Sequence, residues 1–171
     1  METWDAIRAR RNVRDYDDRP LPPEHVERIL EAGRRSPSSM NEQPWDFVVV
    51  VGADRLRELA RVWRHGRHVA GSAATIALAR PVSLDPEERE STAFDLGQAA
   101  MAMMLAAADL GIGSCHSAVG DETLARELLG LPPDRECFML ISLGYPRERP
   151  LRPLERPRRR AFADVVHRDA W

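Results

Sequence analysis

Two short segments carry the side chains best suited to chemistry. The first places three arginines within five residues, Arg10–Arg14. Guanidinium groups bind phosphate through paired hydrogen bonds, although such a cluster is also typical of a solvent-exposed helix end. The second segment, the serine loop (Pro37–Pro44), offers hydroxyls and amides that could hydrogen-bond a heteroaromatic ring edge. Read alone, that segment is equally an ordinary helix-to-strand connection. Together the two segments suit a ligand with a phosphate at one end and a polar planar ring at the other.

Composition excludes several classes of function. At 171 residues we expect one domain, or one domain with an arm. A formal charge of −2 argues against a nucleic-acid partner or a membrane surface. All 25 lysine-or-arginine positions are arginine, so Schiff-base catalysis by lysine is excluded. No Ser/His/Asp or Cys/His constellation stands out, so we assign no catalytic side chain.

The two cysteines indicate a compartment. Cys115 and Cys137 have no metal-ligand spacing, and we interpret them as reduced core residues of a cytoplasmic protein. The first residues are acidic and lack the apolar region of a secretory signal. The Ala/Met-rich run near residue 100 comes closest to a membrane span without being long and clean enough to be one.

Hydrophobic spacing predicts alternating helices and strands. Pro23 fits the first turn of a helix whose C-terminal stop would be Gly33. The predicted helices are Thr3–Arg11, Glu24–Ala32, one from Asp54, Asp85–Leu110 and Asp121–Leu129. The predicted strands are Asp46–Val51, Ala73–Ala79, Phe138–Leu143 and, more weakly, Ile112–Val119.

Three of these elements have a composition that predicts their surroundings. The β-branched run of Asp46–Val51 predicts a strand buried on both faces. The second half of the Asp85–Leu110 helix is apolar on every side, so we expect a subunit interface to help enclose it. Prolines and arginines from residue 147 onward predict an extended arm that ends in a short helix with Phe162, Val165 and Val166. That helix would dock on a partner subunit.

The remaining candidates are weaker. His65 and His68 lie three residues apart, and we interpret them as surface residues because a metal site would need more ligands. We interpret His116 as a structural residue, and contact with a substrate is the alternative. The run Arg158–Arg160 lacks the interleaved aromatics of a nucleic-acid site.

Several of these segments together resemble the nitroreductase family of FMN-dependent oxidoreductases. Arg10–Arg14 is similar to the family's Arg-Arg-Ser-x-Arg pattern, and Pro37–Trp45 matches its Pro-Ser-Ser-x-Asn-x-Gln-Pro-Trp pattern. The further similar segments are Asp95–Leu110 (long central helix), Gly111–Ser114 (glycine turn), Gly144–Pro146 (Gly-x-Pro strand end) and Arg159–His167 (basic anchor and last helix). The resemblance therefore covers nearly the whole chain.

The resemblance implies a fold and an assembly. The fold would be α+β, a nitroreductase-like α/β sandwich with a central mixed sheet flanked by helices. Residues 1–146 would form the FMN-binding core, and residues 147–171 would form an arm that packs on the partner subunit. The chain would then be an intertwined homodimer with an exchanged C-terminal arm.

The resemblance also implies which residues bind the cofactor. The residues that would hold the ribityl phosphate and the pyrimidine side of the flavin are Arg10, Arg11, Asn12 and Arg14, with Arg159 and Arg160 completing the phosphate site. Those that would reach the same flavin from the other subunit are Pro37, Ser38, Ser39 and Asn41. Ala118 and Val119 would lie beside the ring, and Arg67 is in approximate register with a basic residue that contacts the flavin in some members of the family. Asn12 replaces the usual serine and Val119 a common glycine.

The implied activity is hydride transfer from NADH or NADPH, through flavin N5, to an electron-poor acceptor such as a nitroaromatic or a quinone, in ping-pong order. The segment between Trp63 and Asp95 is short, so the usual substrate-covering insertion is absent and the substrate stays open. Alternatives are a flavoprotein of the same fold with dehydrogenase or reductive dehalogenase chemistry, a flavin-binding module without turnover, or an arginine-rich dimer that binds an anionic partner.

Overall fold

The elements of the fold follow the predicted order closely. The structure is a computed structural model that describes residues 1–155 and 158–171. Its helices are α1 (Thr3–Ala9), α2 (Pro23–Arg34), α3 (Ala53–Leu59), α4 (Arg67–Ala70), α5 (Pro86–Asp109) and α6 (Glu122–Leu129). Its strands are β1 (Asp46–Val50), β2 (Ala74–Pro81), β3 (Gly113–Ser117) and β4 (Arg135–Gly144). Short 3-10 turns cover Ser39–Asn41, Ala60–Val62 and Phe162–Asp164.

The four strands form one sheet in the order β1-β2-β4-β3, and every pairing is antiparallel. The mixed pairing that was expected is limited, among the described residues, to one parallel bridge between Asn12 and Ser114 outside the strands. β1 is an edge strand, and Val49 is 37% exposed. The expectation that this strand is buried on both faces was therefore wrong. β-branched residues are favoured in strands generally, so their presence did not require burial.

Helices cover both faces of the sheet. Ile76 and Leu78 of β2 pack with α2 and α5 on one face, while Ala77 points to the opposite face. This alternation is the period-2 pattern of a strand covered on both sides. The opposite face is covered by apolar residues of α3, α4 and α6, among them Leu56, Leu59, Val69 and Ala125. The result is a layered α+β arrangement with the sheet in the middle.

The central helix α5, Pro86–Asp109, differs from the predicted range Asp85–Leu110 by one residue at each end. Asp85 precedes it as the N-cap, and its side chain accepts a hydrogen bond from the Glu87 amide at 2.9 Å. The neighbouring helix α2 packs closely on α5 because Gly33 has no side chain. A Cβ on Gly33 would lie 2.1 Å from Met103 Cε. Gly33 thus lies in the last turn of α2 and permits close packing on Met103, so its predicted role as the residue that follows the helix end was wrong.

One stripe of α5 lies at the surface of this single chain. Phe94, Gly97 and Met101 are exposed along it. With residues of α2 they line a groove of about 670 Å³ that also includes Pro37. The second half of α5 is apolar on every side, as predicted, and the chain encloses only part of it.

The C-terminal residues make few contacts with the core. The predicted last helix is reduced to the 3-10 turn Phe162–Asp164, and Phe162, Val165 and Trp171 are exposed. Cys115 and Cys137 are buried free thiols, as predicted, and burial raises the pKa of Cys137 to about 12. Across residues 1–155 and 158–171, no helix is both long enough and apolar enough to cross a bilayer.

Candidate functional site

The arginine segment (Arg10–Tyr16) lies directly against the sheet. It leaves α1 and runs beside β3, where the Val13 amide donates a hydrogen bond to the Ser114 carbonyl at 2.9 Å. A Cβ on Gly113 would lie 2.7 Å from Val13 Cβ, so only glycine allows this approach. The glycine turn of the sequence therefore makes room for the arginine segment.

The second glycine motif does the same at the other end of the segment. A Cβ on Gly144 would lie 2.7 Å from Cγ of Tyr16, whose ring packs against the strand end. Pro146, two residues after Gly144, forms an isolated β-bridge with Tyr16. Two motifs that are distant in sequence thus hold a single backbone segment in place.

A buried group of polar side chains lies beneath the arginine segment. The Tyr16 hydroxyl donates to the Val13 carbonyl at 2.6 Å and lies 2.8 Å from Ser142 Oγ. Ser142 Oγ donates to the Cys115 carbonyl at 3.2 Å and lies 2.8 Å from Nδ1 of His68. We call Tyr16, Ser142 and His68 the hydroxyl–imidazole network. It ties β3 and β4 to the backbone between Asn12 and Arg14.

Burial sets the protonation of this network. Burial raises the pKa of Tyr16. Burial lowers the pKa of His68, and the positive charges of Arg14 and His116 lower it further. His68 is therefore neutral at pH 7, and its interpretation as a surface residue was wrong because α4 turns it inward. His65 is exposed. Within the described parts of the chain, no group of three or more potential ligands could hold a metal ion.

A cavity of about 710 Å³ opens beside the arginine segment. It is lined by cationic and polar residues together with α1, α5 and tail residues: Trp4, Ile7, Arg8, Arg10, Arg11, Asn12, Met101, Leu154, Glu155, Arg158 and Arg159. We call it the arginine cavity. It brings together four of the predicted phosphate-binding residues.

Two guanidinium groups in this cavity, those of Arg10 and Arg11, lack acidic partners among the described residues, whereas Arg8 pairs with Asp5 at 3.6 Å. Arg10 donates to Asn12 Oδ1 at 3.3 Å, and Arg11 donates to the Arg149 carbonyl at 2.8 Å. Within the described residues, neither of them forms an ion pair with a carboxylate. Burial lowers the pKa of Arg11, and the nearby charge of Arg149 lowers it further. A bound anion would offset this unfavourable concentration of positive charge.

Two predicted phosphate-site residues lie outside this cavity. Arg14 lines an adjacent cavity of about 270 Å³ with Arg149 and Glu148. Arg160 donates to the Asp164 carbonyl at 2.6 Å within the tail. Of the six residues predicted to hold the phosphate end of the ligand, one chain therefore brings four together in the arginine cavity. Arg14 and Arg160 each lie elsewhere.

The serine loop has an unusual backbone. Met40, Asn41 and Gln43 have φ angles of 47°, 59° and 53°, which are unfavourable for residues other than glycine. Ser38 Oγ accepts a hydrogen bond from the Gln43 amide at 2.9 Å. The Ser39 amide donates to Oδ2 of Asp95 on α5 at 3.0 Å. These contacts hold a strained turn at the surface.

One chain does not bring the serine loop to the arginine cavity. Pro37 lies in the groove between α2 and α5, and Met101 is the residue that this groove shares with the arginine cavity. The exposed stripe of α5 thus runs between the two predicted halves of the site. Ala118 and Val119 follow β3, and Arg67 is the exposed first residue of α4. Their predicted contacts with the ring remain predictions.

Sequence reasoning missed several residues that shape this region. Arg158 lines the arginine cavity and was considered only as part of a nucleic-acid patch. Asp95 could have been recognised because it is a lone acid at the start of the apolar half of α5. Ser142 and His68 gave no local signal, since their side-chain partners lie 74 or more residues away along the chain.

Comparison with known proteins places these features in a family. The profile described as the nitroreductase family matches residues 7–145. A protein of Archaeoglobus fulgidus with the provisional name NADH dehydrogenase/NAD(P)H nitroreductase is 33% identical over 174 residues, covering 99% of both chains.

Solved structures agree. A protein of Desulfovibrio desulfuricans described as a nitroreductase, solved in complex with FMN, has a TM-score of 0.78 and 30% identity, covering 97% of this chain and 95% of its own. An NADPH:FMN oxidoreductase from Vibrio harveyi, solved with NAD⁺, has a TM-score of 0.83 and 26% identity over 97% of this chain and 76% of its own.

Proposed function

The chain belongs to the nitroreductase family, and from that premise we propose that it is an NAD(P)H-dependent oxidoreductase that uses FMN. The observation that supports this most directly is the arginine cavity, where Arg10 and Arg11 lack acidic partners among the described residues. Relatives named for NAD(P)H and for flavin, and a structural neighbour in complex with FMN, support the same cofactors. When bound, FMN supplies hydride transfer from NADH or NADPH to an electron-poor acceptor, a nitroaromatic or a quinone, in ping-pong order.

The cavity residues suit the phosphate end of FMN. Arg10, Arg11 and Arg159 present planar donors, and Asn12 adds an amide group in the same cavity. Each charge-assisted hydrogen bond to phosphate contributes about 1.5–3 kcal/mol. Because the phosphate is a dianion, it would also relieve the repulsion between neighbouring guanidinium groups. Arg14, beside the network, would face the pyrimidine side of the ring.

The serine loop suits the ring end. Ser38 Oγ already accepts the Gln43 amide proton, so its own hydroxyl proton is left to donate to an acceptor on the ring. The Ser39 amide donates to Asp95, so we expect Ser39 to use its hydroxyl. The exposed side-chain amide of Asn41 completes the set. These are neutral contacts that orient a ring rather than catalyse a proton transfer.

We propose that two copies of the chain share each cofactor. The arginine cavity and the serine loop lie on either side of the exposed stripe of α5. A second copy packed on that stripe would cover Phe94 and Met101 and carry its serine loop to the arginine cavity. The arm of residues 147–171 would then pack on the partner. A cytoplasmic location remains a prediction from the cysteines.

The test begins with the absorbance of freshly purified protein in the near-ultraviolet and blue. We expect a yellow protein with about one FMN per chain; a colourless protein that cannot be reconstituted with FMN would overturn the proposal. Arg10→Ala should weaken FMN binding about 10- to 100-fold and leave riboflavin binding nearly unchanged, because only FMN carries the phosphate. Arg57→Ala, on the surface of α3, is the matched control.

Anaerobic mixing with NADH or NADPH separates the alternatives. Bleaching by either dinucleotide, followed by reoxidation with nitrofurazone or a quinone, is the expected result. Bleaching without reoxidation by those acceptors indicates dehydrogenase or reductive dehalogenase chemistry. Bound flavin that neither dinucleotide bleaches indicates a binding module without turnover.

A further inference from the structure

Asp95 is a buried carboxylate that the proposed chemistry does not use. Its residue is 3% exposed, on the part of α5 that packs into the core beside Leu96 and Ala99. Within the described residues, no arginine or histidine lies within ion-pair distance of it. A buried carboxylate without hydrogen-bond donors is strongly unfavourable. Its donors are the Ser39 amide at 3.0 Å and, at a long 3.4 Å, the Gln98 side chain.

The serine loop needs an external contact to keep its shape. Three successive short-range contacts join loop residues to one another: Asn41 amide to Ser38 carbonyl at 3.1 Å, Glu42 amide to Ser39 carbonyl at 2.9 Å, and Gln43 amide to Ser38 Oγ at 2.9 Å. These bonds would move with the loop if it shifted as a unit. Three positive φ angles add strain, which persists only when surrounding structure supports it. The bond from the Ser39 amide to Asp95 ties this turn to the central helix.

We propose that Asp95 is a positioning residue that holds the serine loop in its ring-binding geometry through the Ser39 amide. The inference rests on the proposed function, because the loop is expected to contact the flavin. It also explains why a lone acid stands in an otherwise apolar stretch of α5. The carboxylate adjoins Phe94 in the exposed stripe, so the same helix would position both the loop and the partner subunit.

The first test compares Asp95→Ala, Asp95→Asn and the matched control Gln98→Ala by amide hydrogen exchange of the full-length protein. We expect Asp95→Ala to accelerate exchange at residues 39–43 at least tenfold, with the β2 amides of Ile76–Leu78 unchanged. Asp95→Asn retains an acceptor oxygen and should restore most of the protection. Gln98→Ala should resemble the wild type. Unchanged loop exchange in Asp95→Ala overturns the proposal, as does acceleration spread equally over β2.

A second test removes the donor instead of the acceptor. Ser39 begins a 3-10 turn, and Ser38 has φ −142° and ψ 156°, a conformation that tolerates a following proline. Ser39→Pro should reproduce the loop exchange of Asp95→Ala, whereas Ser39→Ala should not. Adding Asp95→Ala to Ser39→Pro should give no further acceleration. If the accelerations of loop exchange caused by the two single changes multiplied in the double variant, the proposed contact would be contradicted. If Asp95→Ala fails to fold, Ser39→Pro and Ser39→Ala still decide the question, because equal loop exchange in these two variants overturns the proposal.

Flavin affinity tests whether the contact between Asp95 and the Ser39 amide matters for the proposed FMN site. Asp95→Ala should weaken FMN and riboflavin binding by a similar factor, about tenfold, because the loop contacts the ring and not the phosphate. Arg10→Ala should instead weaken FMN alone. A loosened loop with unchanged affinity for both flavins overturns the positioning role and leaves the proposed function standing. A wild-type protein that lacks FMN and cannot be reconstituted with it overturns the proposed function, while loop exchange still decides whether Asp95 holds Ser39.

Discussion

The arginine segment and the serine loop are held in place by different means. The arginine segment is supported from below by two glycine-permitted contacts and by the buried hydroxyl–imidazole network, so its guanidinium groups are left to face the cavity. The serine loop has a strained backbone and, among the described residues, a single hydrogen bond to α5. A charged phosphate is bound by hydrogen-bond donors in fixed positions, whereas a ring edge is recognised by a loop surface of complementary shape. We therefore expect substitutions of buried residues to disturb the arginine segment, and substitutions that alter backbone conformation to disturb the serine loop.

The largest expected effect comes from closing the space beneath Tyr16. Gly144→Ala places a Cβ about where the Tyr16 ring lies, with contacts of 2.7–2.9 Å, and should reduce the free energy of unfolding by about 2 kcal/mol. Denaturant unfolding followed by fluorescence measures this. Gly71→Ala is the control, because its nearest contact is 3.9 Å away. Equal stability of the two variants would mean that the segment is not held by close packing.

Removal of one hydroxyl probes the network itself. Tyr16→Phe leaves the Val13 carbonyl and Ser142 Oγ without the phenol and should cost about 1.5 kcal/mol of unfolding free energy. Ser142→Ala, alone and combined with Tyr16→Phe, completes a double-mutant cycle. We expect the double variant to be more stable than the sum of the single effects predicts, because both changes remove the same contact. Strict additivity would show that the two hydroxyls act separately.

The pH dependence of stability should report on His68. Its pKa is lowered in the folded state, so the unfolded chain binds the proton first as the pH falls below about 6.5. Stability is therefore retained above that pH and decreases toward the lowered pKa. The slope should be a fraction of the roughly 1.4 kcal/mol per pH unit expected for one full proton. His68→Gln should have a flatter profile between pH 7 and 5, as measured by urea unfolding; parallel profiles would assign the slope to other groups.

The smallest effect concerns strain in the serine loop. Met40 has a φ of 47° and is 91% exposed, so Met40→Gly relieves backbone strain without removing packing. We expect a gain of about 0.5 kcal/mol in thermal or denaturant stability. Met101→Gly, in the interior of α5, should instead lose about 1 kcal/mol. A loss in both variants would indicate that the turn is not strained.

Local patterns predicted the elements well. α5 and α6 have the predicted ranges because acidic N-caps, Asp85 and Asp121, precede a continuous helical pattern and Gly130 ends α6 in a left-handed conformation. The serine loop and the arginine segment were recognised because their residue types are informative by themselves. The family resemblance extended this to a fold and a cofactor, and the comparisons confirmed the family.

Non-local packing accounts for what was missed. Gly33 reads as a helix end, yet α2 continues to Arg34, and Met103, 70 positions later, packs where a side chain on residue 33 would lie. The run Asp46–Val51 reads as a buried strand, yet the sheet order places it at an edge. His68 reads as a surface residue because the partner that buries it, Ser142, lies on another strand.

By itself, the amino-acid sequence determined which chemical groups this protein offers and the approximate positions of most of its helices and strands, since both depend on neighbouring residues. Only the tertiary structure decided which of those groups are already paired and which are left for a ligand. Pairing and burial depend on residues brought together from distant parts of the chain, as Ser39 and Asp95 are.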